Sequence, residues 1–147
     1  MNDGETYQQR YKRLLAPADK AAQAIQNGDS VVLSGGACQP LSILAALGRR
    51  RDLNRVSIYT SLSLVPPDFL VRQYLAKKEG KASESNISFF SFCVGPGARE
   101  SAQASVVNVV PVGSSAVGRL LRGRRVDVIV AGSSGMDEDG NFNLSCN

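Results

Sequence analysis

The chain has no histidine and no tryptophan among its 147 residues. Without histidine it cannot hold a Ser–His–Asp triad, a Cys–His pair or histidine-ligated zinc. Aromatic residues make up only 6%, so the core must be built from Val, Leu, Ile and Ala. Cysteine is scarce too. Cys38, Cys93 and Cys146 are odd in number, far apart and without metal-ligand spacing. They read as reduced thiols, which points to the cytoplasm. No apolar run approaches the length of a membrane span. The opening MNDGETYQQRYKRLL carries early acids and lacks the apolar centre of a signal peptide. Neither a GxGxxG turn nor a P-loop lysine is present.

What remains is a globular composition, 43% hydrophobic and 20% charged, of one-domain length. The formal charge is +4, with arginines in two clusters. Arg49, Arg50 and Arg51 end one expected helix; Arg119, Arg122, Arg124 and Arg125 end another. Cations at helix C-termini suit the macrodipole; attraction of an acidic ligand is the alternative. Nucleic acid is not expected, because no aromatic residues interleave with the basic ones.

Short β-branched runs alternate with helical patterns. Strands are expected at Ser30 to Leu33, Val56 to Tyr59, Ile87 to Phe92, Val106 to Val110 and Val126 to Ala131. Helices are expected at Tyr7 to Leu15, from Pro17 to a stop at Asn27-Gly28, and after Pro40, with Leu41, Ile43, Leu44 and Leu47 inward. Further helices are expected after Pro67, at Arg99 to Ala104 and at Ser114 to Leu121. Lys77 to Asn86 reads as an exposed, mobile loop. Phe142 and Leu144 read as the start of a sixth strand. Strands alternating with helices imply an α/β fold, an open and mainly parallel sheet with helices on both faces.

Three loops follow strands. Ser34 to Gln39 is made of small residues that let a ligand approach the backbone. The helix after it offers free N–H groups to an anion or a thioester carbonyl oxygen; a tight structural turn explains the composition equally well. In Gly95-Pro96-Gly97-Ala98-Arg99-Glu100, Arg99 is suited to a carboxylate or phosphate, or to pairing with Glu100 or an acidic turn. Gly132 to Gly135 breaks the fifth strand, and Asp137 to Asn141 follows as a turn, with Gly140 supplying positive φ. An acidic surface turn is the plainer reading there. Cys38 reads as a small buried thiol, not a nucleophile. No carboxylate pair stands out as an acid–base dyad.

VVLSGGACQPLSILAAL, FFSFCVGPGARESAQASVVNVVPV and VDVIVAGSSGMDEDGNFNLS follow one another in order. Together they resemble the N-terminal domain of the acetyl-CoA hydrolase/transferase family, and within it the 4-hydroxybutyrate and butyrate–acetate CoA-transferases. The resemblance runs from about Tyr11 onward. It implies a fold like that of class I CoA-transferases, and a reaction that moves CoA between an acyl-CoA and a small carboxylate through a glutamyl-CoA intermediate. The family's glutamate and glycine-rich loop belong to a second half, and no position here matches them. Residues 1–147 are therefore expected to be an N-terminal domain whose catalytic C-terminal partner is missing. No catalytic residue, metal ligand or tightly bound cofactor is expected in it, with the CoA thioester as substrate. The resemblance assigns Gly35, Gly36, Ala37, Cys38, Gln39, Pro40, Gly95, Gly97, Arg99, Ser133, Ser134, Asp139 and Gly140 to a pocket wall. Gln39 departs from the acidic residue common before that proline. A homo-oligomer is expected, and no membrane contact. Three rivals stand beside this reading: an acyl-CoA hydrolase, a non-catalytic module for CoA or phosphate, and an isomerase acting on sugar phosphates. The last lacks a local acid–base group.

Overall fold

A computed structural model describes residues 5–83 and 85–144. Residues 1–4 of the opening stretch, and Cys146, lie outside the described residues.

Five short strands pair into one sheet: β1 (Ser30–Leu33), β2 (Asn54–Leu62), β3 (Asn86–Cys93), β4 (Val107–Val109) and β5 (Val128–Val130). Their order is β4-β3-β2-β1-β5, and every pairing is parallel. Helices α1 (Tyr7–Leu14) and α2 (Ala18–Ala21) precede the sheet. Helices α3 (Leu41–Arg49), α4 (Asp68–Lys78) and α5 (Arg99–Gln103) connect β1 through β4. Helix α6 (Ser114–Arg122) carries the chain back past three strands to β5. Right-handed crossovers in opposite directions place α6 on the face opposite α3, α4 and α5. The fold is α/β, a doubly wound open sheet, as the alternating pattern implies.

One face of the sheet holds the core. Val31, Ile58, Phe89 and Val107 stand in one register row and are buried beneath Leu44 and Leu47 of α3 and Phe69 and Leu70 of α4. Phe69 and Phe89 meet at 6.0 Å in a tilted ring pair, a favourable aromatic geometry. Apolar burial of this kind is the main force holding the domain together. The opposite face is covered unevenly. Tyr59 is buried there and stacks on Phe90 at 4.7 Å. Arg124, just past α6, lies 5.5 Å over the Tyr59 ring. Ile129 of β5 points to this same face and stays 73% exposed.

Four features differ from the sequence expectation. Helix α4 continues to Lys78, into the stretch read as loop, because two lysines in its last turn favour a helix C-terminus. β2 extends on both sides of its apolar centre, since Asn54 and Leu62 still find partners on β3. Cys38 is half-buried, not fully buried. Finally, no strand forms at Phe142 or Leu144 among the described residues. That segment folds back instead, with the Ser134 N–H donating to Asn143 O at 2.9 Å and the Asn143 N–H to Ser134 Oγ at 3.0 Å.

Asp127 fastens β5 to the sheet. Its Oδ2 accepts the Ser30 N–H at 3.0 Å, its own N–H donates to Ser30 O at 2.9 Å, and Arg125 Nε reaches Oδ1 at 2.6 Å. The Ser30 N–H first, and then Arg125, hold the Asp127 carboxyl below the usual carboxylate range. A carboxylate favoured in the folded state stabilises the chain above its unfolded pKa, near 4. That stabilisation fades as pH falls through the lower folded pKa. Asp127→Asn should therefore lower the urea midpoint at pH 7 and reduce its fall between about pH 5 and pH 3. An equally steep acid decline in the variant would refute this assignment. In the core, Phe89→Ala should cost about 3–5 kcal/mol in the same denaturation assay.

Candidate functional site

In a parallel sheet the loops leaving the strands gather at the carboxyl edge, where open α/β folds place ligands. Here the loops after β1, β2, β3 and β5 meet there. Winding reverses direction between β1 and β5, so the loops that follow them lie side by side. Ser34 joins them: its Oγ donates to Cys38 O at 2.5 Å and accepts the Gly132 N–H at 3.2 Å. A Cβ on Gly132 would lie 3.0 Å from Cys38 O, so the two loops approach backbone to backbone. The Cys38 thiol donates to Leu144 O at 3.6 Å.

The glycines of the first two loops serve a neighbour within the chain. A Cβ added at Gly35 would lie 2.7 Å from Leu62 N. One on Gly95 would sit 2.8 Å from Ser63 O, and one on Gly97 would sit 2.7 Å from the Leu64 carbonyl carbon. Real side chains do not fit at these distances, so the segment from Ser61 to Leu64 is gripped by glycine backbone on both sides. The Gly97 N–H donates to Ser63 O at 3.1 Å and completes the grip. Gly36 differs, with open space around it and φ at +62°, a conformation that favours glycine.

Gln39 ties this segment to the β1 loop. Its Oε1 accepts the N–H groups of Leu64 at 2.9 Å and Val65 at 3.2 Å. Its Nε2 donates to Val65 O at 2.7 Å. The result is a ridge at the carboxyl edge, with Ser63 buried beneath it and Leu64 and Val65 45% and 49% exposed. Sequence reasoning missed this ridge. Its one signal was the apolar pair Leu64-Val65 between Ser63 and Pro66-Pro67, just past the expected second strand.

The turn after β5 is closed on itself. Asp137 Oδ1 accepts the Asn141 N–H at 2.7 Å and the Asp139 N–H at 3.1 Å. These bonds, led by that from Asn141, hold its carboxyl below the ordinary range. Asp139 is exposed, as are Ser133 and Ser134. Gly140 takes φ of +85° and presses on the Tyr7 ring, so the turn leans on α1. Between them lies a cleft of about 490 Å³, lined by Tyr7, Tyr11, Leu14, Met136 and Phe142.

Other candidates are not drawn together. Ala37 is exposed and Pro40 half-buried within the β1 loop. Arg99 is exposed at the start of α5. No hydrogen bond or ion pair joins its side chain to Glu100 or the acidic turn among the described residues. Both arginine clusters end helices at the opposite, amino edge of the sheet. Arg50 donates to Ala22 O and Ile25 O, and Arg51 to Gly48 O, so these arginines finish helix ends and lie away from the loop cluster. No group of His, Cys, Asp and Glu suited to a metal occurs among the described residues. No helix there is long and apolar enough to cross a membrane.

Comparison with known proteins places this arrangement. A search of curated proteins finds no match. Among solved structures, the chain is similar to RipA from Yersinia pestis, at 22% identity and a TM-score of 0.77, over 95% of this chain and 33% of that one. Two single-residue variants of RipA superpose with TM-scores of 0.78 over the same shares, at 23% and 22% identity. At that identity the likeness shows the fold, and the chain spans about a third of the length of those proteins. The family model for the acetyl-CoA hydrolase/transferase N-terminal domain matches residues 1–147. The chain belongs to the acetyl-CoA hydrolase/transferase family, as its N-terminal domain.

Proposed function

We propose that this chain is the N-terminal half of a CoA-transferase, and that it supplies one wall of a pocket shared with a catalytic C-terminal domain. The observation that carries this reading is the meeting of the β1, β2, β3 and β5 loops at one edge, with no hydrogen-bonded acid–base pair there among the described residues. In the turn after β5, Asp137 is committed to backbone N–H groups, and Asp139 is exposed to solvent. Such a surface can shape and orient a substrate, while the bond-making group comes from elsewhere.

In the proposed reaction a glutamate of the second half attacks the acyl-CoA carbonyl. The CoA thiolate leaves, and an acyl–glutamyl anhydride forms. Attack of that thiolate on the glutamyl carbonyl releases the carboxylate and leaves a glutamyl-CoA thioester. An incoming small carboxylate reverses both steps. Splitting one difficult transfer into two easier displacements is the gain of covalent catalysis. In the alternative, a hydrolase, water is the acceptor.

The wall is assigned to Gly35, Gly36, Ala37, Cys38, Gln39 and Pro40 of the β1 loop, Gly95, Gly97 and Arg99 of the β3 loop, and Ser133, Ser134, Asp139 and Gly140 after β5. To these the ridge adds Leu64 and Val65. The half-covered sheet face around Ile129, and the Tyr7–Phe142 cleft, are apolar surfaces of the kind that mark contacts with other protein. They support both a second domain and self-association, and a soluble, cytoplasmic setting is consistent with them.

The isolated chain should show no CoA transfer from acetyl-CoA to butyrate above the buffer rate, followed by chromatography of the CoA thioesters. Steady turnover by the chain alone would overturn the division of labour; thiol release without butyryl-CoA would point to the hydrolase. Sedimentation velocity should show association that grows with concentration. A sharp monomer at high concentration would argue against the exposed faces being interfaces.

A further inference from the structure

Gln39 makes four side-chain hydrogen bonds, and none of them leaves its carboxamide free for a substrate. Oε1 receives two ridge N–H groups, while Nε2 reaches Val65 O at 2.7 Å and, more weakly, Ser63 Oγ at 3.4 Å. A carboxamide suits this place because the ridge offers both donors and an acceptor, and only Asn and Gln carry both groups in one plane. Ser63 Oγ also donates to Val65 O at 3.0 Å, so the Val65 carbonyl is held twice. Glycine packing closes the ridge from below, at Gly35 on one side and Gly97 on the other. What remains free are the Leu64 and Val65 side chains, both about half exposed. Apolar side chains held on a backbone that cannot shift form a measuring surface, because a fixed wall discriminates between chains differing by one or two methylenes.

We propose that Gln39 is a positioning residue for acyl-group selection, setting the height of the Leu64–Val65 ridge against the acyl chain of a CoA thioester. This rests on the CoA-thioester reading of the same site. Within that wall Gln39 acts through the ridge, its carboxamide being engaged there and not offered to substrate. Removing its carboxamide would free the ridge and blunt the choice between short and longer acyl groups, leaving recognition of the CoA portion unchanged.

The test uses the chain itself, followed by NMR. In Gln39→Ala the Leu64 and Val65 amides should exchange about tenfold faster, the loss expected for roughly one hydrogen bond each, while core amides such as that of Phe89 keep their protection. Unchanged exchange at Leu64 and Val65 would overturn the clamp. Titrations with free CoA, acetyl-CoA and butyryl-CoA then read the selection. The ratio of butyryl-CoA to acetyl-CoA affinity should move about fivefold, with free CoA unaffected. Leu64→Ala should move the same ratio, and Gln39→Ala added to it should move it little further, since residues acting through one another are not additive. Faster exchange with an unchanged ratio would reduce Gln39 to a loop brace and overturn the proposal. If wild type binds none of the three probes even at millimolar concentration, this half holds no acyl subsite of its own and the positioning role falls, while the shared-pocket reading is left to the turnover assay and the exchange result still reports the clamp.

Discussion

The carboxyl edge depends on one steric constraint: the backbone from Ser61 to Leu64 passes where side chains on Gly35, Gly95 and Gly97 would otherwise stand. The ridge at the candidate site follows from that passage. It brings the β2 loop level with its neighbours, gives Gly97 N–H an acceptor in Ser63 O, and lets Gln39 reach across to Leu64 and Val65. A larger residue at any of the three glycines would have to push backbone aside. Backbone yields far less readily than a flexible side chain, so overpacking here would disturb the whole edge. The ridge is thus an outcome of close packing between loops, with hydrogen bonds fixing what the packing permits.

The same molecule is asymmetric across its sheet. The row of Val31, Ile58, Phe89 and Val107 is sealed by α3 and α4, while in the row of Val32, Tyr59, Phe90 and Ile129 Arg124 lies over Tyr59 and Ile129 stays exposed. A parallel sheet ordinarily has both faces covered. Ile129 shows how incomplete the second cover is. The well-packed face gives the domain its own core, so its fold does not hinge on the open one. The open face and the cleft at Phe142 are then available for contact without endangering the core.

Much of this was legible from residue patterns, for physical reasons. The strands are short β-branched runs between glycine breaks, and both-face burial imposes that composition. The arginine-rich helix ends were legible too, since the dipole favours cations there; alternation of strands and helices then sends them to the edge opposite the loops. The ridge was not legible. Gly35, Gly95 and Gly97 signal close approach, but a sequence does not say whether a ligand or another loop approaches. Only the β1–β2–β3 register brings Leu62 and Ser63 between them. The strand expected at Phe142 failed for a related reason. Alternation there was real, but Ser134 and Asp137 capture the backbone of Asn141 and Asn143 instead.

The electrostatics of the edge complete the argument for a wall that shapes without reacting. A thioester is neutral, and the step proposed for it develops negative charge on its carbonyl oxygen. A nearby free carboxylate on this half would oppose that charge. The chain keeps Asp137 tied to three hydrogen-bond donors of its own turn, and most of the proposed wall is glycine, serine, Leu64 and Val65; Asp139, its one carboxylate, is exposed to solvent, which screens its charge. It also keeps the arginine clusters at the far edge, where Arg50 and Arg51 satisfy helix-end carbonyls and Arg124 and Arg125 engage Tyr59 and Asp127. A wall built mostly of uncharged backbone and fixed apolar side chains can accept acyl groups of one shape while leaving the charge of the reaction to be managed by the group that makes the bond. That separation of shape from chemistry is physically coherent in a chain with no histidine, because the residue best suited to proton transfer near neutral pH is the one it lacks.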